Sequence, residues 1–289
     1  MMKKELTIAP TYVGHNDGCV FVVPAKIFQM KLQGTVDPED TKTFAQYINK
    51  TFTGFEKARK SKYNNEGKTE IESTPEFWEE FERVAKDLGV DLVGYTPVDE
   101  NFVFKDLQIY GRNGIILAME LQWDQIKTAP GYKCGMEAFR VYQALGDIVL
   151  QLTSYLQERG YKAEAHVPFG GKLLYGPHAV SAGLGVVGRL GLILTPEFGP
   201  RQRFGMITTD ADIPLDHPAR DLDKVNNACD KCSACALNCP AALPEPVEQV
   251  PASGIITRID RTACEDQIVD HNYCSVCLKV CPPGRPKKG

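Results

Sequence analysis

Between Cys229 and Pro282 the chain reads Cys229-Asp-Lys-Cys232-Ser-Ala-Cys235-Ala-Leu-Asn-Cys239-Pro240, then Cys264, then Cys274-Ser-Val-Cys277-Leu-Lys-Val-Cys281-Pro282. The first run is C-x2-C-x2-C-x3-C-P and the second is C-x2-C-x3-C-P. Spacing of this kind holds pairs of [4Fe–4S] clusters, the last cysteine of each run ligating the other cluster. Three thiolates on a tight loop cap three irons of one cubane. The proline after Cys239 and after Cys281 stops the local turn and carries the next thiolate away. The expected ligand sets are therefore Cys229, Cys232, Cys235 and Cys281 for cluster one, and Cys239, Cys274, Cys277 and Cys264 for cluster two. Cys264 is included because the second run lacks the leading cysteine that the first run has.

Zinc and disulfides are the competing uses of such cysteines. A zinc ribbon takes two C-x2-C pairs and no C-P ends. A disulfide framework belongs to exported chains, and the stretch from Met1 to Pro10 has lysines but neither an apolar core nor twin arginines. Eight of the ten cysteines lie in the last quarter of the chain, so the expectation is a ferredoxin-like two-cluster segment in a reducing cytoplasm. Cys19 and Cys134 stand outside the runs and are expected to pack as small hydrophobes.

The remainder is ordinary globular sequence. The whole chain, 289 residues, 43% hydrophobic and 24% charged, suits one large domain and a small one. A net charge of −4 argues against nucleic acid as the main partner. No apolar run approaches the ~20 residues that span a bilayer, so no membrane span is expected.

The pattern along the chain predicts an α+β fold. Cys19-Val-Phe-Val-Val23 reads as a strand and Asp37 to Phe55 as a helix, with a polar loop over Lys60 to Lys68. Ser73-Thr74-Pro75-Glu76 is a helix start, with Phe77, Phe81, Val84, Ala85 and Leu88 on one face and Gly89 at the end. Val90 to Tyr95 and Gly114 to Met119 read as strands, the second fully buried. Met136 to Arg159 is a long amphipathic helix with the stripe Phe139, Tyr142, Leu145, Val149, Leu152 and Leu156. Tyr161 to Val167, Gly191 to Thr195 and Arg203 to Thr209 are further strands. The expected division is an N-terminal segment over 1–70 that packs on the core, a core domain over 71–221, and the cluster domain over 222–289.

Between helix and strands lies a glycine-rich stretch, Tyr175-Gly-Pro-His178-Ala-Val-Ser181-Ala-Gly183-Leu-Gly185-Val-Val-Gly188-Arg189-Leu-Gly191. Gly183-x-Gly185-x-x-Gly188 formally matches a dinucleotide fingerprint. The residues before it do not read as the apolar strand that such a fingerprint follows.

Several of these segments together are similar to the core of the cobalamin-dependent reductive dehalogenases. They are Met119-Glu-Leu-Gln-Trp123 to Pro130, the long helix, Gly183 to Arg189, Thr195-Pro-Glu-Phe-Gly-Pro-Arg201, and Thr208-Thr-Asp210 with Ile213-Pro-Leu215. The two-cluster tail resembles theirs too, and epoxyqueuosine reductase resembles both more distantly. It has Gly-Lys-Asn-Thr where this chain has Gly188-Arg189-Leu-Gly191. The resemblance covers about Phe77 to Pro282. It implies a nitroreductase-like domain holding base-off cobalamin, with Gly183, Leu184, Gly185, Gly188 and Arg189 as its binding residues. Asp216-His217-Pro-Ala-Arg lacks the spacing of a histidine-on cobalamin motif. The resemblance further implies a small organic substrate, reduced ferredoxin or flavodoxin as donor, and a tyrosine beside a basic side chain as proton donor. Tyr175 is the candidate tyrosine, with Arg201, Arg203 and Arg189 as candidate partners. Tyr142 and Tyr155 read as helix-face core. Arg201 and Arg203 have an alternative reading, as strand braces paired with Glu197 or Asp210. Glu120 and Asp124 read as solvated acids. Two other uses of the chain stay open: an electron carrier without catalysis of its own, and an epoxyqueuosine-reductase-like enzyme.

Overall fold

The computed structural model describes residue 26 and residues 36–60, 73–105, 107–215, 220–241, 249–250, 254–255 and 261–286. The strand expected at Cys19 to Val23 lies outside them, as does most of the loop expected after Lys60.

A four-stranded antiparallel sheet forms the centre. Its strands are β1 (Leu92–Pro97), β2 (Asn113–Glu120), β6 (Gln202–Thr209) and β3 (Ala163–His166), side by side in that order. In the register, Met119 stands opposite Arg203 at one end and Asn113 opposite Thr209 at the other. Successive side chains of a strand point to opposite faces, and the two faces bury two separate cores. Ile115, Leu117, Met119 and Ile207 join one; Ile116, Ala118 and Met206 join the other.

The first face is covered by α2 (Pro75–Asp87) and α4 (Tyr132–Glu158), the latter reached from β2 through the short helix α3 (Trp123–Ile126). The start of α2 is as its sequence dictates: the Thr74 hydroxyl accepts from Phe77 N at 3.3 Å and proline occupies the first turn. Gly89 follows it at φ 103. Phe81 is fully buried against the sheet. In α4 the residues Phe139, Leu145, Val149, Leu152 and Leu156 are buried, as their spacing requires. That helix starts at Tyr132, four residues before the predicted Met136. Helix α1 (Pro38–Lys60) lies against α4, where Phe44 meets Phe139 edge-on at 5.7 Å.

The second face is covered by the short helix α5 (Tyr175–Ser181) and by the chain around Val103 and Ile109. The strand expected over Gly191 to Thr195 is reduced to Ile193–Leu194 (β5), paired with Val186–Val187 (β4). The rest of that stretch curls around the cysteine region. No helix among the described residues is long and apolar enough to cross a membrane.

Beyond the sheet come α6 (Leu222–Asp230), α7 (Ala234–Leu237), the strand pair Gln249–Val250 (β7) and Gly254–Ile255 (β8), α8 (Arg261–Asp270), α9 (Val276–Val280) and a 3-10 turn at Pro282–Gly284. Close contacts fasten this tail to the core. Tyr273 inserts into a slot on α4, where a Cβ on Gly135 would stand 2.2 Å from its ring. The Lys279 ammonium donates to Ala129 O at 2.6 Å. Gly199 sits so close to the tail that a Cβ would lie 2.4 Å from Gly284 N.

Candidate redox centre

The described cysteines are all free thiols, and eight of them lie in the tail that Lys279 and Gly284 fasten to the core. Cys229, Cys232, Cys235 and Cys281 line a single small cavity whose apolar wall is Leu190 and Leu194. These are the four thiols expected for cluster one. Burial pushes the Cys281 thiol up to about 12, with Cys229, Cys235 and Cys232 pushing the same way; a backbone bond from Gly284 pulls it back. The second expected set is coupled in the same manner. Burial pushes Cys277 up to about 12, followed by Cys264, Cys274, Cys235 and Cys239. Thiols crowded like this ionise only beside cations, which is what cluster iron supplies. Among the described residues no three His, Cys, Asp or Glu side chains form a group able to hold a single metal ion. A cubane takes its four thiolates one per iron, so the donor set fits that cofactor better than one zinc.

The loops that carry these thiols are held in unusual backbone. Asn272, Tyr273 and Ser275 have φ of 47, 71 and 49 around Cys274, a conformation that costs non-glycine residues free energy and collects at functional sites. Backbone amides point at the first group: Arg189 N donates to Cys229 Sγ at 3.4 Å and Ala234 N to Cys232 Sγ at 3.5 Å.

A tyrosine–arginine pair lies at the end of the sheet where Arg203 stands opposite Met119. Arg203 Nε donates to the Tyr142 hydroxyl at 3.1 Å, and its guanidinium carbon is 5.4 Å from the Tyr142 ring centre. Tyr142 comes from α4 and Arg203 from β6, so the pair bridges helix and sheet. Phe139 meets Tyr142 at 5.6 Å and Tyr273 at 6.3 Å, and Tyr273 precedes Cys274 in the chain. A line of aromatic rings thus runs from the phenol to the second thiol group.

No protein-family profile matches the chain. The tetrachloroethene reductive dehalogenase of Dehalobacter restrictus is 30% identical over 154 residues, which are 53% of this chain and 27% of that protein. The epoxyqueuosine reductase of Vibrio cholerae is 31% identical over 169 residues, 52% of this chain and 43% of that protein. The chain is related to both. It spans about a quarter of the dehalogenase it matches. Among solved structures, a catabolic reductive dehalogenase in complex with 3-bromo-4-hydroxybenzoic acid superposes with a TM-score of 0.69 at 22% identity. That match covers 85% of this chain and 36% of that one. An epoxyqueuosine reductase solved with a modified tRNA stem loop gives 0.52 at 18%, covering 74% and 67%. At such identities the likeness is one of fold.

Tyr175 donates its hydroxyl to Val167 O at 2.6 Å, and burial raises its pKa above the ordinary phenol value. Arg201 does not meet it, and pairs with neither Glu197 nor Asp210. Instead it is 2% exposed and joins Glu120 at 2.5 Å, while Glu197 takes Arg220 and Asp210 accepts from Lys162 N. Glu120 is therefore not a free acid, and Asp124 pairs with Lys127. Arg203 meets Tyr142, which the helical stripe alone reads as core. Its signal in the sequence was a polar tip at the edge of an otherwise aliphatic face.

The glycines divide too. A Cβ on Gly185 would stand 2.4 Å from Leu194 O, and one on Gly188 would stand 2.8 Å from the Leu194 side chain. Leu184 is buried in the core, and Arg189 reaches Asp230 O at 2.9 Å. Gly185, Gly188 and Arg189 are spent on contacts with β5 and the first thiol group, and Leu184 on the core of the second sheet face. Gly183, at φ 67, alone has open space where a Cβ would go. His178 is buried at the other end of the sheet. Its Nδ1–H donates to Leu174 O at 2.6 Å and its Nε2 accepts from Asp99 N at 3.1 Å.

Proposed function

We propose that the chain is an iron–sulfur reductase that passes electrons through two [4Fe–4S] clusters to a base-off cobalamin and reductively cleaves a small organic substrate. The observation that carries this reading is the first thiol quartet around one cavity, in a chain whose sheet and long helix bring Tyr142 and Arg203 together. The eight cysteines hold the clusters, and Gly183 offers the free backbone approach for the corrinoid. When bound, the clusters supply single electrons and the cobalamin a strongly reducing centre.

The chain's own residues supply the proton. Arg203 donates to the Tyr142 oxygen, so the phenol's own O–H remains free to point at a substrate. The guanidinium at hydrogen-bond distance holds the phenol in place, so that its proton can pass to a product carbanion or radical. The aromatic rings of Phe139 and Phe169 stand beside the phenol. Reduced ferredoxin or flavodoxin is the proposed donor, in the cytoplasm, with no nucleic acid required.

A second reading rests on the glycine segment. With Gly185 and Gly188 filled by β5, less backbone is free for a corrinoid than the resemblance implies, which favours an electron carrier. One experiment separates the two. Anaerobically reconstituted protein is mixed with cobalamin, desalted and examined by absorption. Retained corrinoid bands support the reductase; iron–sulfur absorption alone supports the carrier. Assays of halogenated aromatics, epoxides and unsaturated acids with reduced methyl viologen then define the substrate class.

A further inference from the structure

Arg201 is unused by the chemistry above, yet it is one of the most enclosed charges in the described chain. Its Nη1 donates to Glu120 Oε1 at 2.5 Å and to Leu121 O at 2.6 Å, and its Nε donates to Gly284 O. Its guanidinium lies 5.7 Å from the Trp123 ring centre. The backbone is fixed as well, since Leu121 N donates to Arg201 O at 2.8 Å. Gly284 in turn donates to Cys281 O at 3.0 Å, and Cys281 lines the cavity of the first thiol group. A buried guanidinium is therefore one hydrogen-bonded residue away from the backbone of Cys281.

Charge near a cluster sets how readily it accepts an electron. Buried charges act with little screening, whereas exposed ones are screened by water and salt. The Arg201 side chain is 3% exposed and Glu120 is 24% exposed, so the cation has the stronger hold on the interior and the pair leaves a net positive tilt. We propose that Arg201 is a positioning residue that locks the Cys281 loop onto the sheet and raises the reduction potential of the cluster held by Cys229, Cys232, Cys235 and Cys281. The proposal rests on those thiols holding a cluster.

The test is redox titration of anaerobically reconstituted protein followed by electron paramagnetic resonance. The signal abolished in C229S marks the first cluster. R201Q should move that signal to lower potential and leave the other cluster in place. E120Q should move it to higher potential, and R201K, which keeps the charge, should stay near wild type. A brace without electrostatic effect would not move the two variants in opposite directions. Unmoved potentials with full iron content, or a downward shift in E120Q, would overturn the role of Arg201 while sparing the cluster reading. Absence of iron at this group in the wild type would overturn both. If R201Q does not fold, the direction of the E120Q shift and the position of R201K decide the matter.

Discussion

Replacing Gly199 with alanine strikes the joint between the sheet and the tail. Gly199 has φ 55, and a Cβ there would stand 2.4 Å from Gly284 N and 2.6 Å from Gly284 Cα. The left-handed backbone costs an alanine about 1–2 kcal/mol. Backbone cannot swing away as a side-chain end does, and overpacking of this kind costs about 1–3 kcal/mol. The expected loss is about 2–5 kcal/mol, the sum of the two. For a chain of this size that lowers Tm by about 4–20 °C, at about 2–4 °C per kcal/mol. Because Gly284 follows Cys281 so closely, cluster absorbance should bleach at lower temperature than far-ultraviolet dichroism decays. Gly54 provides the opposite sign. It lies inside α1 with nothing within 4 Å of a Cβ, so G54A should stabilise by up to about 1 kcal/mol through helix propensity. Thermal unfolding of both reconstituted variants checks the pair. A G199A protein that melts within about 1 °C of wild type, against the slope just used, would refute the reasoning.

Four other outcomes follow from the geometry. Y142F should keep its iron and its fold but lose turnover by roughly 10²–10⁴-fold, the usual worth of a positioned acid, in the methyl viologen assay. Y175F should lose only a buried hydrogen bond, about 0.5–1.5 kcal/mol of stability, and equal losses of turnover in the two variants would count against Tyr142. C264S should leave about four irons per chain, one cubane, and a full complement after that change would remove Cys264 from the second set. Burial holds His178 below its ordinary pKa and His166 down at about 3. A depressed histidine contributes stability that is complete above its unfolded pKa of ~6.5 and is lost as pH falls from there toward the folded value. Chemical denaturation between pH 7 and pH 5 should therefore show wild type losing stability more steeply than H178Q, and parallel curves would contradict the neutral, hydrogen-bonded His178.

What the sequence disclosed depended on how local the physics was. Cysteine spacing fixes which thiols share a loop, and Cys229, Cys232, Cys235 and Cys281, grouped by that spacing, line one cavity. The start of α2 was legible because Thr74, Pro75 and Glu76 act within one turn. The stripe of α4 was legible because Leu145, Val149, Leu152 and Leu156 repeat at helical spacing. Pairings made across the fold were not. Tyr142 and Arg203 meet only because β6 lies under α4, and nothing in either neighbourhood announces the other. Arg201 read as a partner for a phenol, but its place depends on Leu121 and Gly284, far off in the chain. The glycines misled for a related reason. A glycine signals close approach without saying of what, and at Gly185 and Gly188 the approaching group is Leu194 of the chain itself.

The central claim is that the eight thiols carry two cubanes. Iron and labile sulfide determined on anaerobically reconstituted protein test it most directly. The account predicts ~8 of each per chain, four per cluster. Stoichiometric zinc without sulfide, or iron well short of that figure, would contradict it.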